Sequence, residues 1–261
     1  MTSLLGSQTA CWVGWPSTGA VCPQPCQPCY NPKMLSSEGL AREVHRRLLR
    51  VYGRPKWRRP MPPLDELVST ILSQNTNDLN RDRAYQALRA RFPTWEAVRD
   101  ARPQEVVQTI RPAGLANRKG PRIQGVLKAI SDERGSLDLG FLRDLPVDEA
   151  RAWLLRFKGV GPKTAAIVLL FSLGRPAFPV DTHVYRVTGR LGLRPERMSP
   201  EAAHVHLARL FHPRSYQAAH LNLIRHGREV CRARRPACER CTLHDLCAYY
   251  RRNRKPLPPR A

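Results

Sequence analysis

Residues 157–165 have the sequence FKGVGPKTA and lie between two segments with the periodicity of α-helices. The pattern predicts a helix–hairpin–helix over about residues 155–168, with Gly159 and Gly161 in the tight turn. Because these glycines have no side chain, backbone N–H groups can approach an anion closely, and the helix that begins at Pro162 points the positive end of its dipole at the same place. The hairpin is therefore predicted to bind a phosphate group without reading a base sequence.

Helical patterns on both sides of this hairpin cover most of the chain. Apolar residues recur with the spacing of a helix face at residues 36–52, from Pro63 to 72, and at 78–91, 94–100, 103–110, 121–134, 147–157, 162–173, 182–192, 200–211 and 215–229. Ser36 or Ser37 and Ser199 are predicted N-caps, and Gly53 is predicted to end the first helix. No alternating strand pattern and no repeat of fixed period is visible, so the predicted fold class is all-α.

Positive charge dominates the composition. The 261 residues contain 44 Lys and Arg against 21 Asp and Glu, a formal net charge of +23. Self-repulsion at this charge destabilises a compact state, so the excess indicates a polyanionic partner. No run of about 18 apolar residues is present, which excludes an ordinary membrane span. Only seven of the cations are lysines, which makes a lysine at a special position informative.

Lys163 lies at such a position, in the first turn of the second hairpin helix. The helix dipole there disfavours an ammonium and lowers its pKa, and a partly neutral amine can attack an electrophilic carbon to form a Schiff base. The alternative role is one more phosphate contact. Asp181 is predicted to cap the helix at 182–192, and a carboxylate that faces the same cleft can also stabilise a developing cationic sugar.

The eight cysteines form two groups, and the second has the more specific spacing. Its members are Cys231, Cys238, Cys241 and Cys247, so four thiolates within 17 residues can surround one centre. Tetrahedral zinc and a [4Fe–4S] cluster both accept four cysteine ligands, and ligand count does not choose between them. This clustering, together with the missing charged n-region of a signal peptide, indicates metal or cluster ligation in a reducing cytoplasm.

Three arginines lie in the loop between the first two of these cysteines. Arg232, Arg234 and Arg235 project from a base that the metal centre would hold, an arrangement that suits duplex phosphates. Residues 1–33 differ from the rest of the chain: they carry one charge and no helical period, and we expect a disordered, low-complexity extension. The cysteines in it, at 11, 22, 26 and 29, have a spacing compatible with a metal, but the intervening prolines favour low complexity.

Taken in order, the hairpin with Lys163, the Asp181 element and the cysteine spacing resemble the endonuclease III family of helix–hairpin–helix DNA glycosylases, over about residues 36–250. The resemblance implies two helical lobes with a DNA-binding cleft between them. One is a six-helix barrel at 57–175, the other joins 34–56 to 176–250 and carries a [4Fe–4S] cluster at Cys231–Cys247, and a basic tail follows at 251–261. A monomeric, cytoplasmic, nucleoid-associated enzyme is expected, with no membrane partner.

The resemblance also implies a reaction. Lys163 matches the family's Schiff-base lysine and Asp181 its catalytic aspartate. The implied activity is that of a bifunctional DNA glycosylase and abasic-site lyase in base excision repair, which removes oxidised pyrimidines from double-stranded DNA and cleaves at abasic sites by β-elimination. The alternatives are a mismatch or uracil glycosylase on the same scaffold and a non-catalytic protein that binds damaged DNA. Relatives that act on mispaired adenine usually lack the lysine.

Base flipping leaves a gap in the duplex, and the resemblance places two residues there. Asn75 matches a gap-filling glutamine of the family but is shorter by one methylene, with Gln74 beside it, and Leu115 matches a wedge leucine on the other side. The remaining predicted DNA contacts are Gly159, Gly161, His183, Arg186, Arg232, Arg234 and Arg235. Two further histidines, His204 and His206, are predicted to lie on the surface.

Overall fold

The computed structural model describes residues 35–56 and 60–253. The cysteines of the N-terminal extension and the tail beyond residue 253 lie outside these ranges, so the predictions made for them stay predictions. Within the described ranges the chain is built from helices and turns without a strand, which confirms the all-α fold class. No helix in this part of the chain is long and apolar enough to cross a membrane.

Twelve α-helices follow one another along the described chain. They are α1 (Ser37–Tyr52), α2 (Pro63–Leu72), α3 (Asp78–Arg91), α4 (Trp95–Asp100), α5 (Pro103–Thr109), α6 (Ala116–Arg134), α7 (Val147–Leu155), α8 (Pro162–Ile167), α9 (Thr182–Leu191), α10 (Pro200–Leu210), α11 (Tyr216–Glu229) and α12 (Ala248–Asn253). Short 3₁₀ turns lie at Arg111–Ala113, Gly140–Arg143, Pro213–Ser215, Cys238–Arg240 and His244–Leu246.

The helix ends follow local capping chemistry. Ser36 caps α1 by accepting a hydrogen bond from Gly39 N, and Ser199 caps α10 in the same way through Ala202 N. Gly53 ends α1 at a φ of 74°, a conformation that glycine adopts without strain. The predicted caps and stop are thus confirmed.

Two helices around the hairpin differ from their predicted form. The helix predicted at 121–134 begins five residues earlier, because α6 starts at Ala116 and contains Pro121. Its first turn closes on the carbonyl of Leu115, which accepts from the backbone N–H groups of Arg118 and Lys119. The segment predicted as one helix at 162–173 is a short α8 that widens into a π-turn at Val168–Ser172.

Two hydrophobic cores lie in the described chain, and α8 together with the π-turn that follows it contributes to both. The first is formed mainly by α2 to α8, and the second by α1, α9 to α11 and the turns around the C-terminal cysteines. Ala165 and Leu169 belong to the first core, whereas Ile167 and Phe171 belong to the second. The start of α8, which carries Lys163, therefore lies where the two cores meet. The lobe boundaries at 57–175 and 176–250 remain predictions.

The prediction of a surface position is wrong for His204. Its side chain is 8% exposed, and its Nδ1 is 3.1 Å from the carbonyl oxygen of Phe178. The cause is its place on α10 between Ala203 and Leu207, which pack into the second core. His206, two residues on, is half-buried and hydrogen-bonds to the carbonyl oxygen of Leu193.

Candidate active site

A cleft of about 910 Å³ opens between the end of α2 and the starts of α8 and α9. Lys163 and Asp181 both line it. Asp78 and Arg228 also line the cleft, and Arg228 Nη1 donates to Asp78 Oδ2 at 3.0 Å. Because Asp78 begins α3 and Arg228 lies on α11, this ion pair joins two walls of the cleft.

Lys163 lies in the first turn of α8, where it is partly exposed and lines the cleft. Burial lowers the pKa of Lys163 below the ordinary 10.5, while the charges of Asp181 and Glu66 oppose the shift. The direction is the one expected from the helix dipole, but burial is the dominant cause. A lower pKa leaves more of the amine neutral near pH 7, the form that acts as a nucleophile.

Asp181 is the N-cap of α9. Its Oδ1 accepts a hydrogen bond of 2.7 Å from the backbone N–H of Val184, which confirms the predicted capping role. The cap fixes the carboxylate at the rim of the cleft, where its negative charge raises the pKa of Lys163. The two side chains that the sequence paired are thus electrostatically coupled in the fold.

Two buried ionisable residues in the cleft were not predicted. Glu66, on α2, is 3% exposed, and its charge also raises the pKa of Lys163. His220, on α11, is 2% exposed, and its Nδ1 is 2.9 Å from the carbonyl oxygen of Pro179. Since a carbonyl only accepts, Nδ1 carries the proton, and burial lowers the pKa of His220 to about 4. Glu66 shares its face of α2 with Ser69 and Thr70, which also line the cleft.

The predicted gap-filling residues lie at two exposed loop tips. Asn75 is exposed with a φ of 52°, and Leu115 is 47% exposed with a φ of 50°. The left-handed conformation costs a leucine about 1–2 kcal/mol, so the backbone is strained at Leu115, whereas asparagine adopts this conformation more readily. Gln74 is placed differently: its Nε2 donates to the carbonyl oxygen of Gly159 at 3.1 Å.

The hairpin has the geometry that its glycines require. Gly159 has a φ of 93°, and a Cβ there would overlap the side chain of Arg122. Gly161 is extended, with a φ of −97°, and a Cβ at this position would meet no protein atom within 4 Å. The space beside Gly161 is therefore open to a ligand, as a phosphate-binding turn demands.

The guanidinium of Arg186, a predicted DNA contact, donates hydrogen bonds to backbone carbonyls of the protein itself. Nε donates to the carbonyl oxygen of Cys231 at 3.0 Å, and Nη2 donates to that of Gly227 at 2.9 Å. Nη2 also lies 3.0 Å from Nδ1 of His183, which lines the cleft. Arg186 thus braces the start of the cysteine loop against α11.

The arginine loop between the first two cysteines is exposed, as predicted. Arg232, Arg234 and Arg235 all face solvent. Arg190 of α9 stabilises the backbone of this loop by donating to the carbonyl oxygens of Arg232 at 2.7 Å and Ala233 at 3.0 Å. The three guanidinium groups therefore project from a backbone with a fixed course.

The four C-terminal cysteines line one small cavity and carry free thiols. In the described ranges no group of three or more His, Cys, Asp or Glu side chains could hold a single metal ion. Two sulfurs accept hydrogen bonds, Cys231 Sγ from Arg190 Nη1 at 3.3 Å and Cys241 Sγ from Leu243 N at 3.4 Å. Four cysteines around a common cavity fit a centre with four cysteine ligands, and a [4Fe–4S] cluster has this ligand set.

Comparison with known proteins identifies the family. Residues 68–213 match the family model described as HhH-GPD superfamily base excision DNA repair protein. The chain belongs to this superfamily. It is 32% identical over 218 residues to endonuclease III of Thermotoga maritima, a match that covers 84% of this chain and 95% of that enzyme. The expected family is therefore confirmed, and the chain is an endonuclease III-like DNA glycosylase of the glycosylase/AP lyase class.

Further relatives of this HhH-GPD chain agree. A protein of Arabidopsis thaliana provisionally named a DNA glycosylase is 44% identical over 146 residues, and the match spans 56% of this chain and only half of that protein. Among solved structures, a trapped endonuclease III–DNA covalent intermediate superposes with a TM-score of 0.72 at 27% identity, covering 84% of this chain and 99% of that one. A thermostable thymine-DNA glycosylase, at 21% identity and a TM-score of 0.69, shares the fold.

Proposed function

We propose that this HhH-GPD enzyme removes oxidised pyrimidines from duplex DNA and cleaves the resulting abasic site through a Schiff base on Lys163. The observation that carries the proposal is the partly buried amine of Lys163, with a lowered pKa, in the same cleft as the capped carboxylate of Asp181. A cleft of about 910 Å³ has room for a nucleotide turned out of the duplex.

Lys163 would act first as a nucleophile. Its neutral Nζ attacks C1′ of the flipped nucleotide, the N–C1′ bond forms, and the bond to the base breaks with its electron pair leaving on the base. The proton of the new ammonium passes to O4′ as the C1′–O4′ bond breaks, which opens the sugar ring and leaves a protonated imine between Nζ and C1′. Water then takes the C2′ proton, and the electron pair of that C–H bond forms a C2′=C3′ double bond as the 3′ phosphate leaves by β-elimination. Asp181, held by its cap, stabilises the positive charge that develops on the sugar.

The surrounding surfaces would hold the duplex. Asn75 and Leu115 would enter the gap left by the flipped nucleotide, since both stand at exposed loop tips. The hairpin would bind a backbone phosphate beside Gly161, and the arginine loop would bind another stretch of the same backbone. These contacts position the DNA without reading its sequence.

A [4Fe–4S] cluster would be held by Cys231, Cys238, Cys241 and Cys247, which line one cavity. When bound, such a cluster would supply structure, because it would cross-link a segment whose regular structure is limited to two short 3₁₀ turns. The arginine loop would then start and end at cluster ligands. Cysteines that bind such a cluster must stay reduced, and a reducing cytoplasm, where we place the enzyme, keeps thiols in that state.

A panel of lesion duplexes tests the function. Single-turnover cleavage and borohydride trapping are measured on duplexes that contain thymine glycol, uracil, a G·T mismatch or no lesion. We expect a covalent complex and strand cleavage with thymine glycol, at least about 10-fold faster than with the other three, which corresponds to about 1.4 kcal/mol of discrimination. Preference for uracil or the mismatch would favour the alternative glycosylase activity, and tight binding without turnover on any duplex would favour a non-catalytic role.

Removal of one predicted ligand tests the cluster. Cys241→Ala is expected to lose bound iron and sulfide, along with the brown colour, and to lower the melting temperature by about 10 °C or more, because cluster binding contributes directly to folding. Cys29→Ser in the N-terminal extension is the matched control and is expected to retain the full iron content. A colourless wild-type protein that contains zinc would refute the cluster.

A further inference from the structure

Lys119 is a buried cation at the start of α6. Its side chain is 1% exposed, and Nζ donates to the carbonyl oxygens of Leu72 at 2.7 Å and Ala113 at 2.8 Å. Burial lowers the pKa of Lys119 to about 8. A buried charge costs free energy unless it is well hydrogen-bonded, so a methionine of similar shape would fill the space more cheaply.

The two carbonyls that Lys119 joins have a common feature. Leu72 is the last residue of α2, immediately before the loop that carries Asn75. Ala113 ends the 3₁₀ turn that precedes Leu115. One ammonium thus fixes the origins of the two loops whose exposed tips, Asn75 and Leu115, have a left-handed backbone conformation.

A second connection runs through Gln74, one residue before Asn75. Both ends of its amide are used: Nε2 donates to the carbonyl oxygen of Gly159, and Oε1 accepts from Arg122 Nη1 at 2.8 Å. Arg122 lies three residues after Lys119 on α6, and its side chain packs in the space left by the missing Cβ of Gly159. The hairpin is thereby tied to the same turn of α6.

We propose that Lys119 and Gln74 are positioning residues for base flipping. Together with Arg122 they hold the loop of Asn75, the loop of Leu115 and the hairpin on α6 as one rigid unit. Insertion into a duplex requires unstacking that costs a few kcal/mol per step. Loops that are displaced by about 1 Å make poorer contacts with the unstacked DNA and offset less of this cost. A displacement of this size can lower the rate about 10²-fold. The inference rests on the proposed glycosylase function.

The test compares a substrate that must be flipped with one that need not be. Gln74→Ala and Lys119→Met are assayed on a thymine-glycol duplex and, by borohydride trapping, on a single-stranded abasic oligonucleotide. A 2-aminopurine beside the lesion reports flipping by its fluorescence. Gln124→Ala is the matched control. Gln124 also lies on α6, and its amide donates to the carbonyl oxygens of Val98 at 3.0 Å and Ala101 at 2.9 Å, away from the segments proposed to contact DNA.

We expect both variants to cleave the duplex about 10- to 100-fold more slowly, with a reduced 2-aminopurine signal, while trapping on the single strand changes less than about 2-fold. The control is expected to match wild type in every assay. Since Lys119 is buried and cannot touch DNA, a parallel loss in Lys119→Met separates positioning from direct contact. If Lys119→Met does not fold, Gln74→Ala carries the test.

Equal losses on the two substrates, or an unchanged duplex rate in Gln74→Ala, would overturn the inference. Absence of trapping by the wild-type protein on either substrate has a different meaning, since it refutes the lysine chemistry proposed above. In that case the 2-aminopurine signal still decides the inference, because flipping precedes chemistry: a signal kept by wild type and lost in both variants supports it, and an equal signal in all proteins overturns it.

Discussion

Lys163→Ala is expected to abolish the borohydride-trapped complex and to lower strand cleavage on thymine-glycol DNA by on the order of 10³-fold or more, the scale on which removal of a nucleophile acts. The reason is that the amine of Lys163, which lines the cleft together with Asp181 and has a lowered pKa, can form an imine with C1′. Binding to the duplex should weaken far less, because the hairpin and the arginine loop are unchanged. Gel quantification of trapped and cleaved DNA measures the first effect, and fluorescence anisotropy measures the second.

Two further variants serve as controls for this result. Lys163→Arg keeps the positive charge but forms no imine, so it should fail to trap as well. Lys128→Ala removes a lysine whose side chain is 73% exposed on α6, and it should trap like wild type. A covalent complex that persists in Lys163→Ala would show that another amine attacks the sugar.

The pH dependence of trapping provides an independent check on Lys163. Burial lowers the pKa of this amine, so the neutral fraction increases as pH rises toward that lowered pKa and saturates above it. The single-turnover rate on abasic DNA should therefore rise from acid to alkaline pH and level off before the ordinary lysine value of 10.5. A rate that is still rising at pH 10.5 would contradict the lowered pKa.

Asp181→Asn is expected to lower base release by on the order of 10²- to 10³-fold while leaving the fold intact. Asparagine is an equally good N-cap, so its side-chain oxygen can still accept from Val184 N, and α9 should keep its start. Only the negative charge that stabilises the developing cationic sugar is lost. Single-turnover base release on thymine-glycol DNA measures the rate, and the melting temperature should stay within about 2 °C of wild type.

A second substitution separates the cap from the charge at this position. Asp181→Ala removes both, and loss of the cap should destabilise the protein by about 1 kcal/mol in addition to the catalytic loss. Asp181→Glu retains the charge on a longer side chain and should recover part of the rate. Full activity in Asp181→Asn would leave capping as the only role of this carboxylate.

Much of this site was visible in the sequence because its chemistry is local. The caps at Ser36, Asp181 and Ser199 bond to backbone groups three residues away, so residue type and spacing are enough to predict them. The same holds for the hairpin, where the turn requires glycine at Gly159 whatever surrounds it. The pairing of Lys163 with Asp181 came from family resemblance, and the structure places both in one cleft.

What was missed involves burial or contacts between distant segments. Glu66, His204 and His220 are polar residues that the fold buries, whereas a surface position was predicted for His204. The start of α6 was missed because its first turn closes on Leu115, a residue in the left-handed region that no propensity predicts. The contacts of Arg186 with the carbonyl oxygens of Gly227 and Cys231 join segments that are 41 and 45 residues apart in the chain.

Local sequence was therefore sufficient for most of the helices, for the caps at Ser36, Asp181 and Ser199, and for the glycine turn of the hairpin, because each depends on local backbone conformation. Only the folded chain could decide which charges are buried and what they join. Gln74 and Gly159 are 85 residues apart, and Lys119 and Leu72 are 47 apart, yet each pair is hydrogen-bonded. Such contacts form when packing brings distant segments together and removes water, and no pattern along the chain encodes that step.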